Sequence, residues 1–152
     1  MENTPAIRFL RLNPDKNSDI PLPRYMTPYS AGMDVCACLE ESLVIKPGDI
    51  ALIPTGFAVS IPEGFEIEIR PRSGLAVKHG IGIINSPGTI DSDYRGEIMI
   101  AIINHGKKDY TFVRGDRIAQ MLVKRVYQAR IEIAGSLDDT KRGKGGFGHT
   151  GV

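Results

Sequence analysis

The chain lacks an excess of charge of either sign. Its 19 Lys and Arg against 18 Asp and Glu leave a formal net charge of +1. No bulk field therefore draws it to nucleic acid or membrane, and any anion site must be local. Cysteine is scarce, with Cys36 and Cys38 alone. On a strand these two would share a face, a disulfide between them would be strained, and no second pair exists to complete a zinc site. Two free thiols in a reducing cytosol is the plain reading, so a cytoplasmic location is expected. The N-terminus carries Glu2, Arg8 and Arg11 without an apolar stretch, which argues against a secretory signal. The longest clean apolar run, Ile98 to Ile103, is far too short to span a bilayer. There is no internal repeat, and the G-x-x-x-x-G-K-[ST] spacing of a P-loop is missing.

What is present is one domain's worth of strands and turns. The 152 residues can bury a real core, and 17 Gly with 10 Pro imply many short elements. Phe65 to Arg70 alternates apolar and charged residues, the period of a half-buried strand. Phe57 to Ile61 has the same period. Ile98 to Ile103 is apolar throughout and reads as a strand buried on both faces. Ile118 to Val126 is a further strand, interrupted by Gln120 and by Lys124-Arg125. Turn signals separate these runs at Asn13-Pro14, Lys46 to Asp49, Pro62 to Gly64, Ser86 to Gly88 and Asn104 to Gly106. The pattern predicts an all-β fold, a jelly-roll-like barrel or sandwich. One short helix is expected, capped by Ser73 and ended by Gly80. Residues 1–136 form the predicted domain. Residues 137–152, polar and then glycine-rich, cannot bury enough apolar surface to fold alone and read as a flexible arm.

Five segments place special residues where a strand pattern would not. Ala31 to Val35 sets Asp34 beside a glycine, which suits a turn and also a hard cation. Pro71 to Ala76 puts Arg72, Ser73 and Gly74 at a helix start, either an anion site or a capped helix with a surface arginine. Asn85 to Glu97 crowds Asp91, Asp93, Glu97, Tyr94 and Arg95 between two apolar runs. An ionised aspartate there can act as a base towards water, though a charged hairpin loop has the same composition. In Gly115 to Gln120, turn chemistry leads into a glutamine that needs a polar partner unless it faces solvent. Arg142 to Gly151 combines charge, glycine and Phe147, fit to grip phosphate and stack on a base. A plain tail or an RNA-gripping element would look alike, but the small net charge argues against RNA.

Taken in order, these five segments resemble the five motifs of the trimeric dUTPase family, and the resemblance runs from about Arg8 to the end. It implies a β jelly roll, a homotrimer with active sites shared between chains, Mg²⁺ as cofactor, and cleavage of dUTP to dUMP and pyrophosphate. It implies Asp91 as the general base. It implies uracil recognition by Asn85 and nearby backbone, with Gly88, Thr89, Ile90 and Met99 also at the substrate. Tyr94 would pack under the deoxyribose. Arg72, Ser73, Gly74 and Gln120 would hold the phosphates, and Asp34 would place Mg²⁺ through its water shell. In the arm, Phe147 would stack on uracil and Arg142 would reach the γ-phosphate, with Gly146, Gly148 and His149 beside them. No membrane and no nucleic acid partner is implied.

Two positions depart from the family pattern. Val35 stands where leucine is usual, a harmless exchange. His149 stands where serine is usual; protonated, it would donate to phosphate, or it points to solvent. The competing readings are a dCTP deaminase of the same fold family and a non-catalytic nucleotide sensor. The Asp91 to Glu97 stretch follows the dUTPase form of the third motif, and the retained base argues against lost activity.

Overall fold

The computed structural model describes residues 4–146. In chain order its elements are β1 (Arg8–Arg11), α1 (Pro14–Asn17), β2 (Arg24–Tyr25), β3 (Met33–Cys36), β4 (Leu43–Ile45), β5 (Ile50–Ser60) and β6 (Phe65–Arg70). There follow α2 (Ser73–His79), β7 (Ile81–Ile83), β8 (Gly88–Ile90), β9 (Glu97–Asn104), β10 (Tyr110–Phe112) and β11 (Arg117–Arg125). The strands pair antiparallel in a four-stranded sheet β1-β5-β9-β7, a five-stranded sheet β2-β3-β11-β6-β8 and the ribbon β10-β4. This is the expected all-β, jelly-roll architecture.

Alternation decides which faces meet. In β6, Ile67 and Ile69 are buried while Glu66, Glu68 and Arg70 lie on the opposite face. Their inward neighbours Met33, Val35, Ala119 and Met121 join them in one core with Ile53, Ile98, Ile100 and Ile102 of the other large sheet. Each such large side chain contributes about 1.5–3 kcal/mol on burial, so the inner faces rather than the turns hold the fold together.

Three details differ from the sequence reading. A second helix is present: Pro14 opens a single turn behind Asn13, whose φ of 47° is left-handed. Proline suits that first position, and four residues are too few to show a helical period. In α2 the N-cap position falls to Arg72 and no side chain caps it; Gly80, at φ 71°, does end it through N–H bonds to Ala76 O and Leu75 O. The run Ile98 to Ile103 is also not buried on both faces in the single chain. Met99 is 37% exposed, and with Ile50 at 58%, Leu52 at 59% and Ile84 at 47% it forms an apolar outer face on the four-stranded sheet. Register sets Leu52 beside Ala101 and Pro54 beside Met99, so that face is continuous.

A bulge in β5 fixes the start of β9. The register shifts between Pro54 and Ala58, and Gly56 takes a left-handed φ of 74°. A β-carbon at Gly56 would meet Cys38 Sγ at 2.7 Å, so only glycine fits. Thr55 Oγ1 donates to Ile98 O at 2.6 Å, and the Gly56 N–H donates to Glu97 Oε1 at 2.8 Å. Glu97→Ala strands that N–H. It is expected to lower stability by about 1–3 kcal/mol, read as a fall in urea midpoint at fixed protein concentration with an unchanged slope.

Candidate active site

The outer face of the five-stranded sheet carries the first group of polar residues. Arg24, Asp34, Gln120 and Arg70 stand side by side across β2, β3, β11 and β6. Cross-strand neighbours of this kind share a face. Asp34 is buried there, and its carboxylate has three partners. Arg117 Nη1 donates to Oδ2 at 3.0 Å, Gln120 Nε2 donates to Oδ1 at 3.1 Å, and Arg72 Nη2 lies 3.7 Å from Oδ2. Arg72 Nη1 also donates to Arg117 O at 3.1 Å. The Asp34 charge, after burial itself, pushes the Cys36 thiol up, which keeps that thiol protonated and inert. Gln120 thus finds the polar partner its place in an apolar strand demanded.

Arg117 was not among the residues singled out from the sequence, and the reason is geometric. Alternation would send Arg117 and Gln120 to opposite faces. The register of β11 on β3 shifts between Arg117 and Ala119, inserting one residue, and this bulge returns Arg117 to the Gln120 side. A one-residue bulge has no signature in periodicity. The turn residues Gly115-Asp116 were its nearest signal.

The second group surrounds the turn between β8 and β9. Thr89, Ile90, Asp91, Tyr94, Glu97, Ile98 and Met99 line a cavity of about 210 Å³. Asp91 is exposed. Ile90 is buried and also belongs to the core. Tyr94 folds back over Gly96: its hydroxyl donates to Glu97 O at 2.9 Å, and a β-carbon on Gly96 would lie 2.4 Å from that hydroxyl. Arg95 Nη1 ties the turn by donating to Ser92 O at 2.6 Å and Tyr94 O at 2.8 Å. Asn85 lays its amide over Gly88, where a β-carbon would come within 3.1 Å of Asn85 Nδ2.

The two groups share a sheet but not a place on it. Register sets Glu68 against Thr89 and Ile67 against Ile90, so Asp91 follows at the level of Glu66. Gln120 is level with Arg70. The strand between those levels spans on the order of 13 Å, and Arg72, Ser73 and Gly74 lie beyond Arg70. Of the arm, Arg142 is exposed and its Nε donates to Gly145 O at 2.8 Å within its own turn, with Gly146 exposed beside it. Phe147, Gly148 and His149 lie outside the described residues.

The profile of the dUTPase family matches residues 18–151. The chain belongs to the dUTPase family. It is 54% identical over 146 residues to the deoxyuridine 5'-triphosphate nucleotidohydrolase of Desulfotalea psychrophila, covering 96% of this chain and 97% of that one. It is 56% identical over 131 residues to the protein of the same name from Rickettsia felis, covering 86% and 88%. A dUTPase of Staphylococcus bacteriophage 80alpha with dUPNHPP superposes with a TM-score of 0.85 at 26% identity, covering 97% of this chain and 99% of that one. A variant dUTPase from phage phi11 of S. aureus, described with a structural Mg(II) ion, shares the fold with a TM-score of 0.76 at 23% identity, covering 86% and 97%.

In this dUTPase chain, no group of three or more His, Cys, Asp or Glu gathers among the described residues as a protein cage for metal. No helix among them is long and apolar enough to cross a membrane. Asp34→Ala would leave Arg72 and Arg117 facing each other without a counter-charge. Arg117 is half exposed, so water screens part of the loss. A destabilisation of about 1–3 kcal/mol is expected by urea unfolding; an unchanged midpoint would show that Asp34 does not organise these side chains.

Proposed function

We propose that the protein is a dUTP diphosphatase that releases dUMP and pyrophosphate, with each active site shared between copies in a homotrimer. The observation that carries the shared site is the separation of its two halves. The phosphate-holding group at Asp34, Arg72, Gln120 and Arg117 and the proton-accepting Asp91 stand on the order of 13 Å apart along one sheet. That is too far for one chain's Asp91 to serve a phosphate held by the same chain. The apolar outer face at Ile50, Leu52, Ile84 and Met99 supports assembly, as do Ile131 and Ile133, exposed at 86% and 102% beyond β11. The names carried by the relatives support the substrate.

In this reading Arg72, Ser73, Gly74, Gln120 and Arg117 hold the phosphate chain of dUTP. Asn85 and the backbone around Gly88 meet the uracil edge. Thr89, Ile90 and Met99 wall the base and sugar, and Tyr94 packs under the deoxyribose, leaving no room for a 2′-hydroxyl. Asp91 takes a proton from water as the water oxygen bonds to the α-phosphorus; the bond to the bridging oxygen breaks and pyrophosphate departs. The arm closes over a neighbouring copy, Arg142 reaching the γ-phosphate and Phe147 stacking on uracil with Gly146, Gly148 and His149 alongside. Closure excludes water and strengthens each charge interaction.

A divalent cation fits the donor set. An ionised carboxylate offers about four lone-pair sites, and the partners of Asp34 leave room for one more contact. Mg²⁺ keeps several of its waters and prefers substrate phosphates to protein cages, so contact with Asp34 through water suits it. Bound to the phosphate chain, Mg²⁺ supplies positive charge that offsets the leaving pyrophosphate. The two free thiols suit a reducing cytoplasm.

The test incubates the protein and Mg²⁺ with dUTP, dCTP, dTTP or UTP and quantifies pyrophosphate and ammonia. Pyrophosphate from dUTP alone is expected, and Asp91→Asn should lower kcat about 10²–10⁴-fold with substrate affinity largely kept. Ammonia from dCTP would replace this reading with a deaminase. No product from any nucleotide would replace it with a sensor.

A further inference from the structure

Arg114 lies in no segment assigned to substrate, yet its guanidinium is fully committed. Nε and Nη2 fork onto Asp19 Oδ2 and Oδ1 at 2.8 and 2.7 Å. Nη2 also donates to Lys16 O at 2.9 Å and Asn17 Oδ1 at 3.2 Å. Nη1 donates to Leu39 O at 3.0 Å, with Cys38 Sγ at 3.8 Å. Three stretches distant in sequence therefore meet on one side chain: the loop around α1, the segment after β3, and the turn that enters β11.

That turn feeds the phosphate-holding group. The Val113 N–H donates to Asp116 Oδ2 at 2.9 Å, and Gly115 takes a φ of 84°. The turn is docked on the end of β3 by Gly115 N–H to Ala37 O at 2.9 Å and Ala37 N–H to Asp116 O at 2.8 Å. The next residue is Arg117, where the bulge begins. A bulge position is set by the backbone on either side of it, and here one side is this turn. The loop around α1 is itself tied to β1, because Arg11 Nη1 donates to Asn17 O at 2.6 Å and Ile20 O at 2.5 Å. Arg114 thus grips a braced platform. The fork also holds the Asp19 carboxyl below its usual range, with the Arg114 hydrogen bond as the largest cause.

We infer that Arg114 is a positioning residue for the phosphate end of the site: it fixes the turn that sets the β11 bulge, and through the bulge the direction of Arg117. This rests on the proposed assignment of Arg117 and Gln120 to phosphate. It does not depend on which base is bound, because the base-reading group lies at the other end of the sheet.

The test uses the full chain with Arg114→Met, which keeps the stem and removes the fork, and Arg114→Lys, which keeps the charge without it. Inorganic pyrophosphate with Mg²⁺ probes the phosphate end, and deoxyuridine probes the base end. Both variants should bind pyrophosphate about tenfold more weakly with deoxyuridine affinity unchanged. KM for dUTP should rise by a similar factor, with kcat held within about twofold. Loss of thermal stability with both affinities unchanged would overturn the inference, leaving Arg114 a staple for the N-terminal loop. Equal loss of both affinities, or no pyrophosphate binding by the parent, would overturn it too. Should the Arg114 variants not fold, Asp19→Asn opens the fork from its exposed side and should weaken pyrophosphate binding in the same direction; no change there would also overturn it. A parent that binds pyrophosphate but does not hydrolyse dUTP would discard the diphosphatase reading alone.

Discussion

An ionised carboxylate cannot be buried without partners, and much of this structure follows from how Asp34 meets that demand. Desolvating the charge costs several kcal/mol unless cations and hydrogen bonds compensate. The three partners come from two places in the chain: Arg72 beyond β6, and Arg117 and Gln120 on β11. They can converge only because β11 lies between β3 and β6, and because a bulge turns Arg117 outward. The constraint that keeps Asp34 stable therefore also aims two guanidinium groups and an amide across one patch of sheet. Stability and the layout of this polar group are the same requirement seen twice.

A second constraint comes from β9. Its inner residues Ile98, Ile100 and Ile102 complete the core, while its outer face with β5 stays apolar and partly exposed. Water disfavours a continuous apolar sheet face of this kind, and a further copy of the chain would cover it. The separation of Asp91 from the polar group around Asp34 points the same way. The distance between the two polar groups along the sheet and the uncovered apolar face are independent observations, and the proposed assembly would account for both.

The sheet architecture was legible because it rests on period-two patterning. Phe65 to Arg70 could be assigned to a half-buried strand from alternation alone. The run Ile98 to Ile103 is the expected strand, but in the single chain its Met99 face is partly exposed, because an apolar run reports what a face prefers and not what covers it. The one-turn α1 and the cap of α2 were missed or misplaced because elements this short carry no periodic signal. Within the site, Asp34, Arg72, Asp91, Tyr94 and Gln120 stood out as polar groups in apolar or turn contexts. Arg117 did not, since its role depends on a bulge that only the backbone reveals. Arg114 did not either, because an arginine in a turn looks like any solvated surface charge until its six-point anchorage is seen.

In the proposed assembly, one chain carries two incomplete halves of a site. Mixing two inactive variants, Asp91→Asn and Gln120→Ala, under conditions that let subunits exchange puts this to the test. If the halves come from different copies, some sites in the mixture receive Asp91 from one chain and Gln120 from another. Pyrophosphate release from dUTP should then reappear, at a fraction of the parent rate. Two variants that remain as inactive together as apart, with exchange verified by differential labelling, would mean that each chain completes its own site and that the halves are not shared.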